Sequence, residues 1–174
     1  VHGLCLNDQQ WTRDGHNHGA ALADEFGYTP LYLRYNSGRH IAANGEAFAG
    51  LLETLVRHWP KPVTELVIIG HSMGGLVSKL QTLESGDEFW HLLSNKPIEE
   101  LRATPEEKAK LAKSFYFHPN ASVKRVVTIG TPHRGSEFAN DTTRWLFLKA
   151  ITLPDMLVAG RQQLVTDNTG VFRE

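Results

Sequence analysis

The chain has little of several features that mark particular classes of protein. Its 174 residues include one cysteine, Cys5, so an internal disulfide framework is excluded. The formal net charge is -1, so no basic excess favours a nucleic-acid partner, and no acidic run indicates a disordered tail. No stretch of about 18 apolar residues occurs, so we expect no transmembrane segment. What is present, 41% apolar and 21% charged residues, is typical of one globular domain with a hydrophobic core.

Both ends of the sequence are typical of the interior of a longer domain. Val1 directly precedes His2-Gly3-Leu4, a pattern typical of a strand end followed by a loop, and residues 168–174 are typical of a loop that continues. We therefore expect residues 1–174 to be a single partial domain, incomplete at both ends. No signal peptide is visible, so the sequence leaves localisation unknown, in the cytoplasm or after export.

Segments typical of strands alternate with segments typical of helices, which predicts an α/β fold with a mostly parallel sheet and flanking helices. Strands are predicted at 29–35, 63–69 and 123–129, with residues 1–3 as the tail of another. Helices are predicted at 41–59, 76–83 and 137–151.

A long stretch, residues 86–120, separates two of these elements and predicts a helical insertion. Residues 87–93 are typical of a short helix. Thr104 and Glu107 form a capping-box pattern around Pro105, which predicts a second helix over 105–117. Such an insertion can be a lid or cap over a site, or an additional packing layer, and the sequence leaves both open.

The segment Gly70-His71-Ser72-Met73-Gly74 fits the G-x-S-x-G pattern of a nucleophile elbow. Ser72 follows an apolar strand and precedes a helix, whose N-terminus favours developing negative charge. Small residues at 70 and 74 are needed because neighbouring backbone passes close to both. Ser72 is therefore the candidate nucleophile, and the Met73 N–H is one candidate oxyanion-hole donor. The alternative is a glycine-rich turn without chemistry, although no dinucleotide or P-loop fingerprint is present.

A second oxyanion donor is predicted in the loop that follows His2-Gly3. Hydrolases with a nucleophile elbow take one backbone N–H from the loop after an earlier strand. Leu4, directly after the glycine, is the candidate. Taken alone, His2-Gly3 is also compatible with an ordinary strand-ending turn.

Three blocks carry a family resemblance: VHGL at 1–4, GHSMGG at 70–75 and TIGTPHRGS at 128–136. Their order and spacing resemble the lipase and esterase branch of the α/β-hydrolase superfamily, and residues 31–60 look like bacterial esterases related to GPI-inositol deacylases. The resemblance implies an α/β-hydrolase fold, Ser72 as the nucleophile, Leu4 and Met73 as the oxyanion hole, and no cofactor. It also implies that His71 belongs to the elbow and is not the base, and that His133 supports or lines the site.

The base and the acid of a catalytic triad are missing from their expected places. In this fold the acid and then the histidine follow the serine along the chain. No histidine follows His133, and Asp155, after Pro154, fits a helix N-cap. The late carboxylates are Asp141, Asp155 and Asp167. We expect the acid and the histidine beyond Glu174. The in-chain alternatives for the base are His133, His118 and His91.

The sequence therefore predicts a serine hydrolase that cleaves carboxylic esters, of the lipase or carboxylesterase type, through an acyl-enzyme on Ser72. The alternatives are a thioesterase or transacylase with the same site, and a non-catalytic hydrolase-like binding module. The expected partner is an ester or lipid-like small molecule, with a lipid interface as one setting, and the oligomeric state is unknown. Residues 145–148 are candidates for an acyl pocket or for core. His16 and His18 lack a third ligand, so we expect no metal site.

Overall fold

The computed structural model describes residues 1–133, 167–168 and 170–172 of the chain. Three short 3-10 turns, at Asp8–Trp11, Leu80–Thr82 and Ile98–Glu100, accompany the strands and helices. None of the described helices has both the length and the apolar character that a bilayer crossing requires. The strands and helices are β1 (Thr12–Arg13), β2 (His16–Asn17), α1 (His18–Phe26), α2 (Ile41–His58), β3 (Leu66–His71), α3 (Met73–Lys79), α4 (Glu88–His91), α5 (Pro105–Phe115) and β4 (Val123–Ile129).

Strand β3 lies between two neighbours. It pairs in parallel with β4, with Gly70 opposite Thr128. On its other edge, the Val1 nitrogen donates to the Ile69 carbonyl at 2.7 Å, and the His71 N–H donates to the Val1 carbonyl at 3.0 Å. Successive residues of a strand bond to opposite sides. The expected strand tail at 1–3 therefore lies beside the residues that lead into Ser72, across β3 from β4.

The main core lies on the face of the sheet that α2 and α3 cover. Helix α2 presents Phe48, Leu52 and Leu55 to the sheet at helical spacing, and it ends before Trp59 and Pro60. The buried members of this core are Phe48, Leu52, Ile68 and Val77. On the other face, α1 packs across an apolar groove of about 290 Å³, lined by His18, Ala21, Leu22, Glu25, Ile69, Val127 and Ile129.

Helices α4 and α5 lie within the predicted insertion and form a second core. Its buried members are Trp90, Ile98, Leu101, Leu111, Phe115 and Val171. The insertion leaves and rejoins the domain at one point, where the Phe117 N–H donates to Ser85 Oγ at 2.8 Å. The chain then enters β4 at its amino end, where Leu66 N–H donates to the Ser122 carbonyl. Leu66 and Ser72 are six residues apart, so about 20 Å of strand separates this attachment from the elbow.

Most predicted elements are confirmed, with shifts at their ends. The strand at 123–129 has the predicted bounds, and α2 ends one residue early. The capping box holds, since the Glu107 N–H donates to Thr104 Oγ1 and the Thr104 N–H donates to Glu107 Oε2. Strand β3 begins and ends later than predicted. Helix α3 begins at Met73, earlier than predicted, because Gly74 and Gly75 are helical.

The strand predicted at 29–35 is wrong. The segment is extended, with Leu33 and Tyr35 packed against the core, but it forms no ladder with a described strand. Pro30 has no N–H to donate, and the Tyr35 N–H bonds to the His2 side chain instead of to backbone. The sequence also missed α1, which begins at the N-cap Asn17 and ends at Gly27 with φ 71°. The helix predicted at 137–151, with residues 145–148, lies outside the described residues.

The second core predicts a stability difference between two leucines of the insertion. Leu111 is fully buried, so Leu111→Ala should lower the free energy of unfolding by about 2–5 kcal/mol through the cavity that it leaves. Leu92 is 74% exposed, and Leu92→Ala should change it by less than about 0.5 kcal/mol. Urea unfolding of the two variants measures both values. Equal losses would contradict the core described here.

Candidate active site

Ser72 occupies a strained corner between β3 and α3. Its backbone has φ 52° and ψ −126°, a combination that non-glycine residues rarely adopt. Two hydrogen bonds hold the corner: the Ser72 N–H donates to the Ile129 carbonyl at 2.9 Å, and the Gly75 N–H donates to the Ser72 carbonyl at 3.0 Å. The carboxyl end of β4 is thereby tied to the first turn of α3. Strain of this kind occurs at nucleophile elbows, where the turn exposes the serine hydroxyl.

The glycines at 70 and 74 are required by close approach of the backbone. A Cβ on Gly70 would lie 2.6 Å from Gly75 Cα, and one on Gly74 would collide with the carbonyls of Val1 and His2. Both obstacles are main chain, which cannot rotate away as a side chain can. The sequence interpretation of these two positions is therefore confirmed.

The predicted second donor, Leu4, lies in a tight turn over residues 3–6. The Leu6 N–H donates to the Gly3 carbonyl at 3.3 Å, and Cys5, in the third position, has φ 58°. In such a turn the N–H of the second residue is not used by the turn itself. No hydrogen bond within the described part of the chain engages the Leu4 N–H. The turn passes close to Ser72, because a Cβ on Gly3 would lie 2.9 Å from Ser72 Cβ.

Met73 is the first residue of α3, and its side chain is fully buried. N–H groups in the first turn of a helix have no acceptor within the helix, and the helix dipole adds positive potential there. Ser72 therefore has a helix N-terminus on one side and the residue 3–6 turn on the other. Backbone amides from both could stabilise an anion that forms on a group bound to Ser72 Oγ.

The structure does not bring a base to Ser72 within the residues that it describes. No described hydrogen bond involves Ser72 Oγ, whose residue is partly exposed. His118 lies before the amino end of β4, and its Nδ1 is 3.0 Å from Glu84 Oε2. That hydrogen bond lowers the pKa of Glu84. About 20 Å of strand separates this end of the sheet from Ser72, so His118 is excluded as the base.

The other candidates for base and acid differ in position. His91 lies on α4 in the insertion and is exposed. His133 is at the carboxyl end of β4, where its Nε2 lies 3.2 Å from Thr128 Oγ1. Asp167 is exposed and precedes Asn168, which bonds to the backbone of Arg102 in the insertion. Asp141 and Asp155 lie outside the described residues.

His16 and His18 are bonded to each other, with Nε2 and Nδ1 3.0 Å apart. In the described part of the chain, no group of three or more His, Cys, Asp or Glu side chains is arranged to hold a metal ion.

Sequence reasoning missed the roles of a buried residue, His2, and a half-buried residue, Tyr35, beside the residue 3–6 turn. His2 is 2% exposed, and its ring stacks on Tyr35 with centroids 4.3 Å apart. The Tyr35 hydroxyl donates to the His2 carbonyl at 2.7 Å. Burial raises the pKa of Tyr35 to about 12, so the phenol stays protonated and remains a donor at neutral pH. The alternation of Leu33 and Tyr35 is a signal in the sequence that the second residue faces inward.

The strain at Ser72 predicts an unusual order of stability between two variants that both lack the hydroxyl. Glycine adopts the observed φ and ψ freely, whereas alanine retains the strain, so Ser72→Gly should be more stable than Ser72→Ala. The gain should be about 1–2 kcal/mol after the larger entropy of glycine in the unfolded chain is subtracted. Thermal and urea unfolding measure the difference. A Ser72→Ala protein as stable as Ser72→Gly would show that residue 72 is unstrained.

Comparison with known proteins gives partial matches to lipases. No family model matches the chain. It is 29% identical over 113 residues to Lipase 1 of Staphylococcus aureus strain MRSA252, a match that covers 61% of this chain and 15% of that protein. It is 27% identical over 144 residues to Lipase 2 of Staphylococcus aureus, covering 76% of this chain and 20% of that protein. The matched part is thus a fifth or less of these curated relatives.

One solved structure is also similar, the lipase BlEst2 of Bacillus licheniformis in its mature form. It matches 94% of this chain and 57% of its own, with 19% identity and a TM-score of 0.48. The narrower likeness to GPI-inositol-deacylase-type esterases stays a prediction. Over part of its length the chain is thus similar to curated proteins named lipases.

Proposed function

We propose that this chain carries the nucleophile and the oxyanion hole of a serine hydrolase that cleaves carboxylic esters. The proposal rests above all on one observation: Ser72, with φ 52°, lies at the strand-to-helix corner directly beside the Gly3–Leu4 peptide. A strained serine there has no evident structural use, since its hydroxyl makes no described hydrogen bond. The partial similarity to proteins named lipases supports the same class of substrate.

The proposed reaction proceeds through an acyl-enzyme. Ser72 Oγ forms a bond to the acyl carbon while a base takes its proton, and the carbonyl electrons move onto oxygen. The N–H groups of Leu4 and Met73 donate to this oxyanion. The bond to the alkoxy oxygen then breaks, and the protonated base gives its proton to the leaving alcohol. Water, activated by the same base, attacks the acyl-enzyme and releases the acid.

Each oxyanion donor should contribute measurably to the rate in this scheme. Removing one such donor lowers the rate by about 10²–10³ in enzymes of this kind. Because both donors here are backbone groups, no side-chain substitution deletes them directly. Their effect can be changed only through the residues that position them.

The base is proposed to be a histidine beyond Glu174, with His133 lining the site. His133 is the in-chain alternative that deserves a direct test, because it ends on the same side of the sheet as Ser72. In the full-length protein, His133→Gln should keep kcat for a short-chain p-nitrophenyl ester within about tenfold of the wild type. A loss near that of a nucleophile variant would assign the base to His133 instead.

The nucleophile assignment is tested by covalent labelling. Wild-type full-length protein should react with a fluorophosphonate probe and hydrolyse p-nitrophenyl butyrate, and Ser72→Ala should lose both. Ser114→Ala is the matched control, because its hydroxyl contacts only the Lys110 carbonyl on α5. It should react as the wild type does. Labelling that survives in Ser72→Ala would place the nucleophile elsewhere.

The same experiment separates the alternatives. A thioesterase or transacylase would be labelled at Ser72 but would prefer a thioester or a non-water acceptor. A non-catalytic binding module would not be labelled at all. Acyl-chain length, a lipid interface and the GPI-inositol-deacylase-like subgroup are then tested with a series of esters from butyrate to palmitate, offered in solution and as emulsions.

A further inference from the structure

The residue 3–6 turn is held by side chains that have no part in the proposed chemistry. The Gly3 carbonyl accepts from both the Leu6 N–H at 3.3 Å and the His2 ring Nδ1 at 2.9 Å. The Cys5 N–H donates to Ser37 Oγ at 3.1 Å. These contacts engage the carbonyl before Leu4 and the amide after it. The Leu4 N–H, between them, is left for a ligand.

The hydrogen bonds of His2 fix one form of its ring. A carbonyl can only accept, so Nδ1 must carry the proton that reaches Gly3. A backbone amide can only donate, so Nε2 must present a lone pair to the Tyr35 N–H, which lies 3.4 Å away. Both ring nitrogens are therefore bonded to backbone groups, Nδ1 as the donor and Nε2 as the acceptor. A side chain that is 2% exposed, stacked and bonded at both ends has little freedom to turn.

Tyr35 fixes the neighbouring His2–Gly3 peptide. Its hydroxyl donates to the His2 carbonyl, while its own N–H holds the His2 ring. The His2 and Gly3 carbonyls are thus both anchored, one by Tyr35 and one by the His2 ring. The orientation of the Gly3–Leu4 peptide plane follows, because the peptide is planar and its carbonyl and N–H point in opposite directions.

We propose that His2, clamped by Tyr35, is a positioning residue that aims the Leu4 N–H at the oxyanion formed on Ser72. This inference rests on the proposed function and adds to it the group that orients the hole. His2 touches neither the substrate nor Ser72 Oγ in this scheme. It acts through the Gly3 carbonyl, and its effect appears only when negative charge develops on the substrate oxygen.

The expected loss of rate follows from what one oxyanion donor contributes to catalysis. Displacing a reacting or stabilising group by about 1 Å can cost on the order of 10²-fold in rate, and losing one oxyanion donor costs about 10²–10³-fold. Without the His2 hydrogen bond, the Leu6 and Cys5 contacts still maintain the path of the turn. The Gly3–Leu4 peptide, however, is no longer held in one orientation. The loss should therefore lie in kcat, with KM little changed.

The test uses three variants and one matched control in the full-length protein. His2→Phe keeps a stacked ring without either nitrogen, and His2→Asn restores a donor near the Nδ1 position. Tyr35→Phe removes only the hydroxyl bond to the His2 carbonyl. Tyr32→Phe is the control, since Tyr32 belongs to the same extended segment but is 41% exposed and bonds to Asn17.

We expect kcat on p-nitrophenyl butyrate to fall about 10²-fold in His2→Phe and about 3–10-fold in Tyr35→Phe, with KM within about threefold of the wild type. His2→Asn should recover at least tenfold of the His2→Phe loss, and Tyr32→Phe should match the wild type. Affinity for an alkyl trifluoromethyl ketone, whose adduct with Ser72 carries an oxyanion, should fall in step with kcat. Affinity for the product alcohol should not change.

Two kinds of result would overturn the proposal, and both differ from failure of the proposed function. If wild-type protein is labelled and active while Tyr35→Phe and His2→Phe keep full kcat, His2 does not orient the hole. If kcat and product affinity fall together, and His2→Asn gives no recovery, the role is only structural. Should His2→Phe fail to fold, the milder Tyr35→Phe decides alone. Wild-type protein without labelling would instead refute the function itself.

Discussion

The structure depends on one backbone constraint, the positive φ of Ser72 at the junction of β3 and α3. A non-glycine residue in this conformation costs about 1–3 kcal/mol, so the surroundings must enforce it. They do so with main chain: β4 bonds to the Ser72 amide, and the Val1 segment bonds to β3 on its other edge. Gly70 admits the first turn of α3 at short distance, and Gly74 admits the Val1 segment. Phe48, Leu52 and Val77 pack with Ile68 of β3 into the core on the α2 and α3 side.

The candidate site is built from the same constraint. The corner that strains Ser72 also lies against the Gly3–Leu4 peptide, and α3 begins directly after it at Met73. In the proposed scheme, two backbone amides face the developing oxyanion without any charged side chain. A backbone N–H points in a fixed direction only if the carbonyl of the same peptide is held in place. Holding the Gly3 carbonyl in one direction is a physical reason for burying His2 and half-burying Tyr35.

The sequence could predict features that depend on neighbouring residues. It could not predict features that depend on contacts between residues far apart in the chain. The corner at Ser72 could be predicted because its requirements are local: a strand, small residues at fixed spacing and a helix start. The capping box of α5 was readable for the same reason. The contact of Tyr35 with His2 could not be predicted in this way, because it joins residues 33 positions apart through side chain and backbone. The segment at 29–35 looked like a strand by composition, yet ladder formation depends on a partner that its own sequence does not contain.

The central claim is that a strained Ser72 directs its hydroxyl between two backbone amides. The most direct measurement is a crystal structure of the full-length protein after reaction with an alkyl fluorophosphonate. The account predicts a covalent phosphonate on Ser72 Oγ, a positive φ at that residue, and a phosphonyl oxygen within about 2.7–3.1 Å of the backbone nitrogens of both Leu4 and Met73. A relaxed negative φ at Ser72, or a phosphonyl oxygen directed away from the Leu4 nitrogen, would contradict it.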